Sequence, residues 1–205
     1  RALNAPVIEG LKCLRGYSAF IILYGCFRWH INNIIVKDLE NNPAAGQHGY
    51  GVLDQSGEGG LLENSTFINN RHGYTTGQRN VSPNSTELEY YGQPMNTTIK
   101  KCYAYGCSAV GFDTHSAGVN IMFVECEVNA SFAGADSGGG AYQSRSYGTK
   151  FIDCIAYNCN NTFRIDNPFI DVNGINVIEG ARTYNCNFSV DVAGQSEAIV
   201  RDSEF

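Results

Sequence analysis

Apolar residues recur along this chain in runs of three or four, without the three-and-four spacing of an amphipathic helix. Ile34-Ile35-Val36, Ile121-Met122-Phe123-Val124 and Asn176-Val177-Ile178 are β-branched or apolar runs bounded by Gly or Asn, which predicts short strands. A second set of strands is expected at 50–54, 73–76, 110–113, 162–166 and 188–191, with Gly59, Gly118, Gly148 and Gly174 punctuating the return. The strands belong to a repeat. With Cys102 as reference, the equivalent residues are Leu39, Ser65, Cys126, Cys154, Ala181 and Ser203. Three places earlier stand Val36, Leu62, Ile99, Phe123, Phe151, Ile178 and Val200, all apolar. A period of two to four dozen residues means a solenoid. Two or three strands per period, without the Leu or Ala spacing of helical repeats, predict a right-handed parallel β-helix of about seven or more rungs. The wider interval before Cys102 is assigned to a polar loop insertion, 75–97.

Composition agrees with that reading and removes others. Only 17% of residues are charged, too few for long surface helices. The net charge of −6 argues against nucleic acid and polybasic membrane binding, and no apolar run is long enough to cross a bilayer. The chain is read as one β-helix domain over 1–205; because it opens on Arg1, it is expected to be part of a longer protein. The eight cysteines fall largely within the repeat, as in Cys102-Tyr103-Ala104-Tyr105-Gly106-Cys107 and Cys154-Ile155-Ala156-Tyr157-Asn158-Cys159. This predicts an interior ladder of reduced thiols rather than a disulfide framework or a zinc site.

Certain phrases are more specific. Arg71-His72-Gly73-Tyr74-Thr75-Thr76-Gly77, Val110-Gly111-Phe112-Asp113-Thr114-His115 and the rung Ile31-Asn32-Asn33-Ile34-Ile35-Val36-Lys37-Asp38 resemble segments of pectate-lyase-like β-helix proteins of phages and prophages. The resemblance implies a tailspike: a homotrimeric depolymerase in the virion tail, or an extracellular one, that binds and cleaves bacterial capsule, O-antigen or exopolysaccharide. It implies the class and not the catalytic residues.

On a β-helix, functional groups line up as columns across rungs. Aligning Leu53-Asp54, Thr75-Thr76, Phe112-Asp113, Gln143-Ser144, Ile165-Asp166 and Val190-Asp191 gives an expected outward column with four Asp. Asp54, Asp113, His115 and Asp166 are the expected catalytic residues, because glycoside hydrolysis needs two carboxylates about 5–9.5 Å apart. His48, Tyr50, Glu58, His72, Tyr74, Arg145 and Arg164 are the expected substrate-binding residues, as aromatic platforms and anion-gripping forks. No cofactor and no metal ligand are assigned: Asp113-x-His115 can orient an imidazole or ligate a metal, and three histidines from different loops leave zinc open, but the H-E-x-x-H type of spacing is missing. Endo-glycosidic hydrolysis is the expected activity. The alternatives are β-elimination, using a His, Tyr or Lys base and a cation such as Ca²⁺, and a β-helix that binds glycan without cleaving it.

Overall fold

The computed structural model describes residues 5–42, 47–77, 93–115, 118–131, 140–167, 174–194 and 196–205. The chain coils into a right-handed parallel β-helix with three parallel sheets of eight, seven and seven strands. Sheet 1 contains Leu61–Glu63, Thr98–Lys100, Met122–Val124 and Lys150–Ile152 among its strands. Sheet 2 contains Thr66–Ile68, Tyr103–Tyr105, Glu127–Asn129 and Ile155–Tyr157. Sheet 3 runs through Ala19–Leu23, Tyr50–Asp54, His72–Thr76, Phe112–Thr114, Gly140–Ser144, Asn161–Asn167 and Phe188–Gly194.

Three-residue strands alternate so that one side chain in three enters the core. In sheet 1 that residue is Leu62, Ile99, Phe123, Phe151 and Ile178 in successive paired rungs, all fully buried. In sheet 3, Phe112, Tyr142 and Phe163 stack ring on ring, with centroids 5.9 and 5.0 Å apart. The expected first rung needs correction. Ile31 pairs with Leu62 and the Ile34 N–H bonds to Ser65 Oγ, so Ile34, not Leu39, is equivalent to Ser65. Leu39 lies at the next corner, where its N–H meets Asn70 Oδ1.

Between strands the chain turns through left-handed backbone. Asn33, Asn64, Lys101, Glu125 and Asp153 occupy one corner with positive φ; Asp38, Asn69, Gly106, Ala130 and Asn158 occupy the next; Arg28, Gly59, Asn96, Asn120 and Gly148 occupy the third. Asn and Asp tolerate this region by bonding locally, so the abundant Asn does at the corners what was expected chiefly of Gly. Of the four glycines expected there, Gly59 and Gly148 have positive φ, whereas Gly118 and Gly174 do not. The Asn side chains also bond rung to rung, as in Asn64 Nδ2 to Asn32 Oδ1 at 3.0 Å and Asn158 Nδ2 to Asn129 Oδ1 at 3.1 Å.

The expected insertion 75–97 is narrower than drawn. Thr75 and Thr76 belong to a sheet 3 strand, and Met95 bridges Glu58 and Val119 as part of the stack. Its middle, 78–92, lies outside the described residues.

Candidate functional site

Register decides which groups reach the surface of sheet 3. Thr76 pairs with Asp54 and Thr114, and Thr114 with Ser144; these four side chains face inward and are fully buried. The outward column is Leu53, Thr75, Asp113, Gln143, Arg164 and Asp191. The expected Asp column therefore divides between two faces, because a slip of one residue reverses a side chain's direction. Asp54 is corrected to an interior residue. Its Oδ1 accepts the Gly57 N–H at 2.6 Å, and its Oδ2 accepts the Tyr74 hydroxyl at 3.3 Å. Tyr74 is fully buried too, so it cannot stack on a sugar from outside.

Glycines at the start of each strand set the outer cluster. A Cβ on Gly51 or Gly73 would strike the ring of Phe67, and one on Gly111 would strike Val128, so these positions face the core. Val52, Tyr74 and Phe112, which follow them, are also core residues. Two successive inward positions place the preceding Tyr50 and His72 on the outer side, beside the Asp113 column.

There the side chains pack in layers. Tyr50 stacks between His48 and His72, with ring centroids 5.6 and 5.3 Å away, and meets His115 edge-on at 6.1 Å. Arg71 Nη1 donates to the Tyr50 hydroxyl and to His48 Nδ1, both at 3.2 Å. Asp113, fully buried, lies beneath this layer. Its Oδ2 is 2.6 Å from Arg145 Nη2, 2.7 Å from His115 Nε2 and 3.7 Å from His72 Nε2. His115 and Arg145 keep 26% and 33% of their side chains exposed, so they are how the cluster meets solvent.

The electrostatics follow from burial and these neighbours. Burial alone would raise the Asp113 pKa, but His115, Arg145 and His72 together outweigh it and hold the carboxyl well below its usual range. Burial pushes His72 down to about 4, against the pull of Asp113, so it is neutral at pH 7. His72 Nδ1 lies 2.7 Å from the Val110 carbonyl, which can only accept, so the proton sits on Nδ1 and Nε2 carries a lone pair. Burial, then Arg71 and His115, lower the His48 pKa. Burial raises that of Tyr50, with Arg71 opposing, so the phenol stays protonated at neutral pH.

Of the expected site residues, the fold brings His48, Tyr50, His72, Asp113, His115 and Arg145 together. Arg164 and Asp166 lie further along the same face, 3.2 Å apart, with Asp191 at 3.7 Å from Arg164. Glu58 is exposed at the third corner, where it bridges Phe27 and Met95, rather than in the cluster. Arg71 was missed, although it stands directly before His72 in one of the distinctive phrases. No family model matches the chain, and no curated protein matches it either.

Proposed function

We propose that this β-helix cleaves anionic bacterial surface polysaccharide at the Tyr50–His115–Arg145 face, by β-elimination rather than hydrolysis. The observation that carries elimination is the state of Asp113. Hydrolysis needs one carboxyl that keeps its proton to donate to the leaving oxygen. Asp113 is buried under Arg145 and His115 and held ionised, while Asp54, whose pKa is raised, faces the interior. Elimination instead needs cationic forks, a base and a proton donor, and these are the groups gathered here.

In this reading Arg145 and Arg71 draw charge from the uronate carboxylate and so acidify the adjacent C5–H. His115, its Nε2 against Asp113, takes that proton on its other ring nitrogen. The C5–H pair becomes the C4–C5 double bond as the C4–O bond breaks. The Tyr50 hydroxyl protonates the departing oxygen. The resemblance to phage tailspikes extends the proposal to a homotrimer in a virion tail that binds its host through the same glycan.

The test is to incubate the full-length chain with uronate-containing capsule and follow the ultraviolet absorbance of unsaturated uronate. Absorbance should rise, and His115→Ala should slow it by about 100-fold or more, the usual worth of a general base. New reducing ends without that absorbance would replace elimination by hydrolysis, with Asp166 and Asp191 the carboxylates to substitute next. Glycan binding without products would leave only a binding module.

A further inference from the structure

Beneath the exposed part of the cluster, one arrangement is unexplained by proton transfer. His72, Asp113 and His115 each offer one ligand atom, and these three atoms lie within 4.8 Å of one another. His72 is 2% exposed and Asp113 fully buried, yet His72 Nε2, Asp113 Oδ1 and His115 Nε2 have no hydrogen-bond partner among the described residues. Although His115 Nε2 is 2.7 Å from Asp113 Oδ2, the pair lacks hydrogen-bond alignment. The Nδ1–H of His72 is committed to the Val110 carbonyl, so its Nε2 lone pair faces the carboxylate at 3.7 Å with no proton between them. Two electron-rich groups aimed at each other in a buried site call for a cation.

We propose that His72 Nε2, His115 Nε2 and a carboxylate oxygen of Asp113 form a binding site for one divalent cation of the Zn²⁺ or Co²⁺ class. Tetrahedral Zn²⁺ with ligand bonds near 2.1 Å holds its donor atoms about 3.4 Å apart. The 2.7 and 3.7 Å separations from the two imidazoles to Asp113 Oδ2 bracket that value, and all three donor atoms lie within 4.8 Å of one another, so side-chain adjustment is needed to close the site around a metal. Two imidazoles and one carboxylate favour a borderline transition metal over Ca²⁺ or Mg²⁺, which take mostly oxygen. The His72–Val110 bond is the outer-sphere contact that fixes a ligating imidazole's tautomer and direction. Arg145 Nη2 contacts the same Oδ2 that faces the two imidazoles, so the metal either shares that oxygen with the guanidinium or takes Oδ1, which has no partner among the described residues; the guanidinium's charge weakens metal affinity. The remaining coordination position falls to solvent or a substrate oxyanion.

Binding does not depend on the polysaccharide reading, but one consequence rests on it. A metal on His115 Nε2 leaves the proton on Nδ1, so the metal-loaded site cannot take the substrate's C5 proton. Zn²⁺ should therefore inhibit elimination, and chelation should restore it.

The experiment is to titrate the chelator-treated full-length protein with Co²⁺ and record the visible absorption of four-coordinate cobalt. One equivalent should produce the bands, Zn²⁺ should bleach them, and His115→Ala and His72→Gln should each abolish them. His115 is partly exposed, so its alanine variant should fold and decides the assignment if His72→Gln does not. Absence of bands in the wild type, or their persistence in His115→Ala, would overturn the site. Bands together with Zn²⁺-insensitive cleavage would keep the site and remove His115 as the base. Bands with no cleavage of any glycan would leave the metal site standing and remove the proposed function.

Discussion

Asp54 enters the interior with only hydroxyls and backbone N–H groups to hold its charge. Burial raises its pKa from 3.8 to about 6, despite the bonds from Gly57, Ser56, Tyr74 and Thr97. Asp113 is just as buried, but an arginine and two histidines reverse the outcome. A group whose native pKa is raised binds its proton more tightly when folded. Its contribution to stability is complete below the unfolded-state pKa and is lost as pH rises through the native one. For Asp54 the window is pH 4 to 6, and the difference corresponds to about 3 kcal/mol. Asn at this position keeps an acceptor for Gly57 and offers an amide to Tyr74 and Thr97, without the charge. Subtracting the urea-unfolding free energy of Asp54→Asn from that of wild type should give a value that falls across this window and is flat above it. A pH-independent difference would mean that Asp54 ionises freely in the native protein. The proposed cleavage should be unchanged in the variant, because Asp54 is buried in the interior. The two acids look alike in sequence, each an Asp near the end of a short strand. What separates them is a one-residue register, which neighbouring turns alone do not specify.

At the scale of the strand, the site depends on glycine. Gly51, Gly73 and Gly111 let two successive residues face the core, and the residues before the first two, Tyr50 and His72, are thereby turned outward. Alanine at Gly51 would meet both the Phe67 ring and the Gly73 carbonyl, and the latter is backbone that cannot swing aside. Gly51→Ala should therefore cost about 1–3 kcal/mol, as overpacking in a filled core does. It should also slow the proposed cleavage by displacing Tyr50. Equal denaturation midpoints for variant and parent would show that the strand has room there. The repeat itself was readable because Leu62, Ile99, Phe123, Phe151 and Ile178 recur at the same place in each turn. The first rung was misread because Val36 is as apolar as Ile31 and sits five residues later. The phrases around His72 and Asp113 pointed to the cluster, but its assembly needs the pairing of Thr75 with Asp113, 38 residues apart in sequence, and no local pattern encodes that.

Stacking fixes the chemistry of the cysteines over the whole molecule. Cys102, Cys126 and Cys154 occupy one interior corner on consecutive rungs; Cys107 and Cys159 occupy the next, and all five are buried and unbridged. Each thiol lies near backbone carbonyls of its own or the preceding rung; Cys126 Sγ is 3.4 Å from the Ile99 oxygen and Cys154 Sγ 3.5 Å from that of Phe123. Burial pushes Cys107 up to about 12 and Cys159 to about 11, leaving almost no reactive thiolate at neutral pH. Cys13, Cys26 and Cys186 are only partly enclosed. A bulky alkylating reagent under native conditions should add to those three and spare the other five, which should react only after denaturation. Intact mass before and after unfolding reads the two groups directly. Early labelling of Cys102, Cys126 or Cys154 would mean that the corner column opens to solvent. The same opening would undo sheet 3, because Tyr142, stacked between Phe112 and Phe163, bonds through its hydroxyl to the carbonyls of Cys126 and Ile155. The thiol ladder and the aromatic ladder beneath Asp113 are thus two sides of one core. Rapid modification of the first should accordingly be accompanied by loss of the proposed cleavage at the Asp113 cluster, which the second supports.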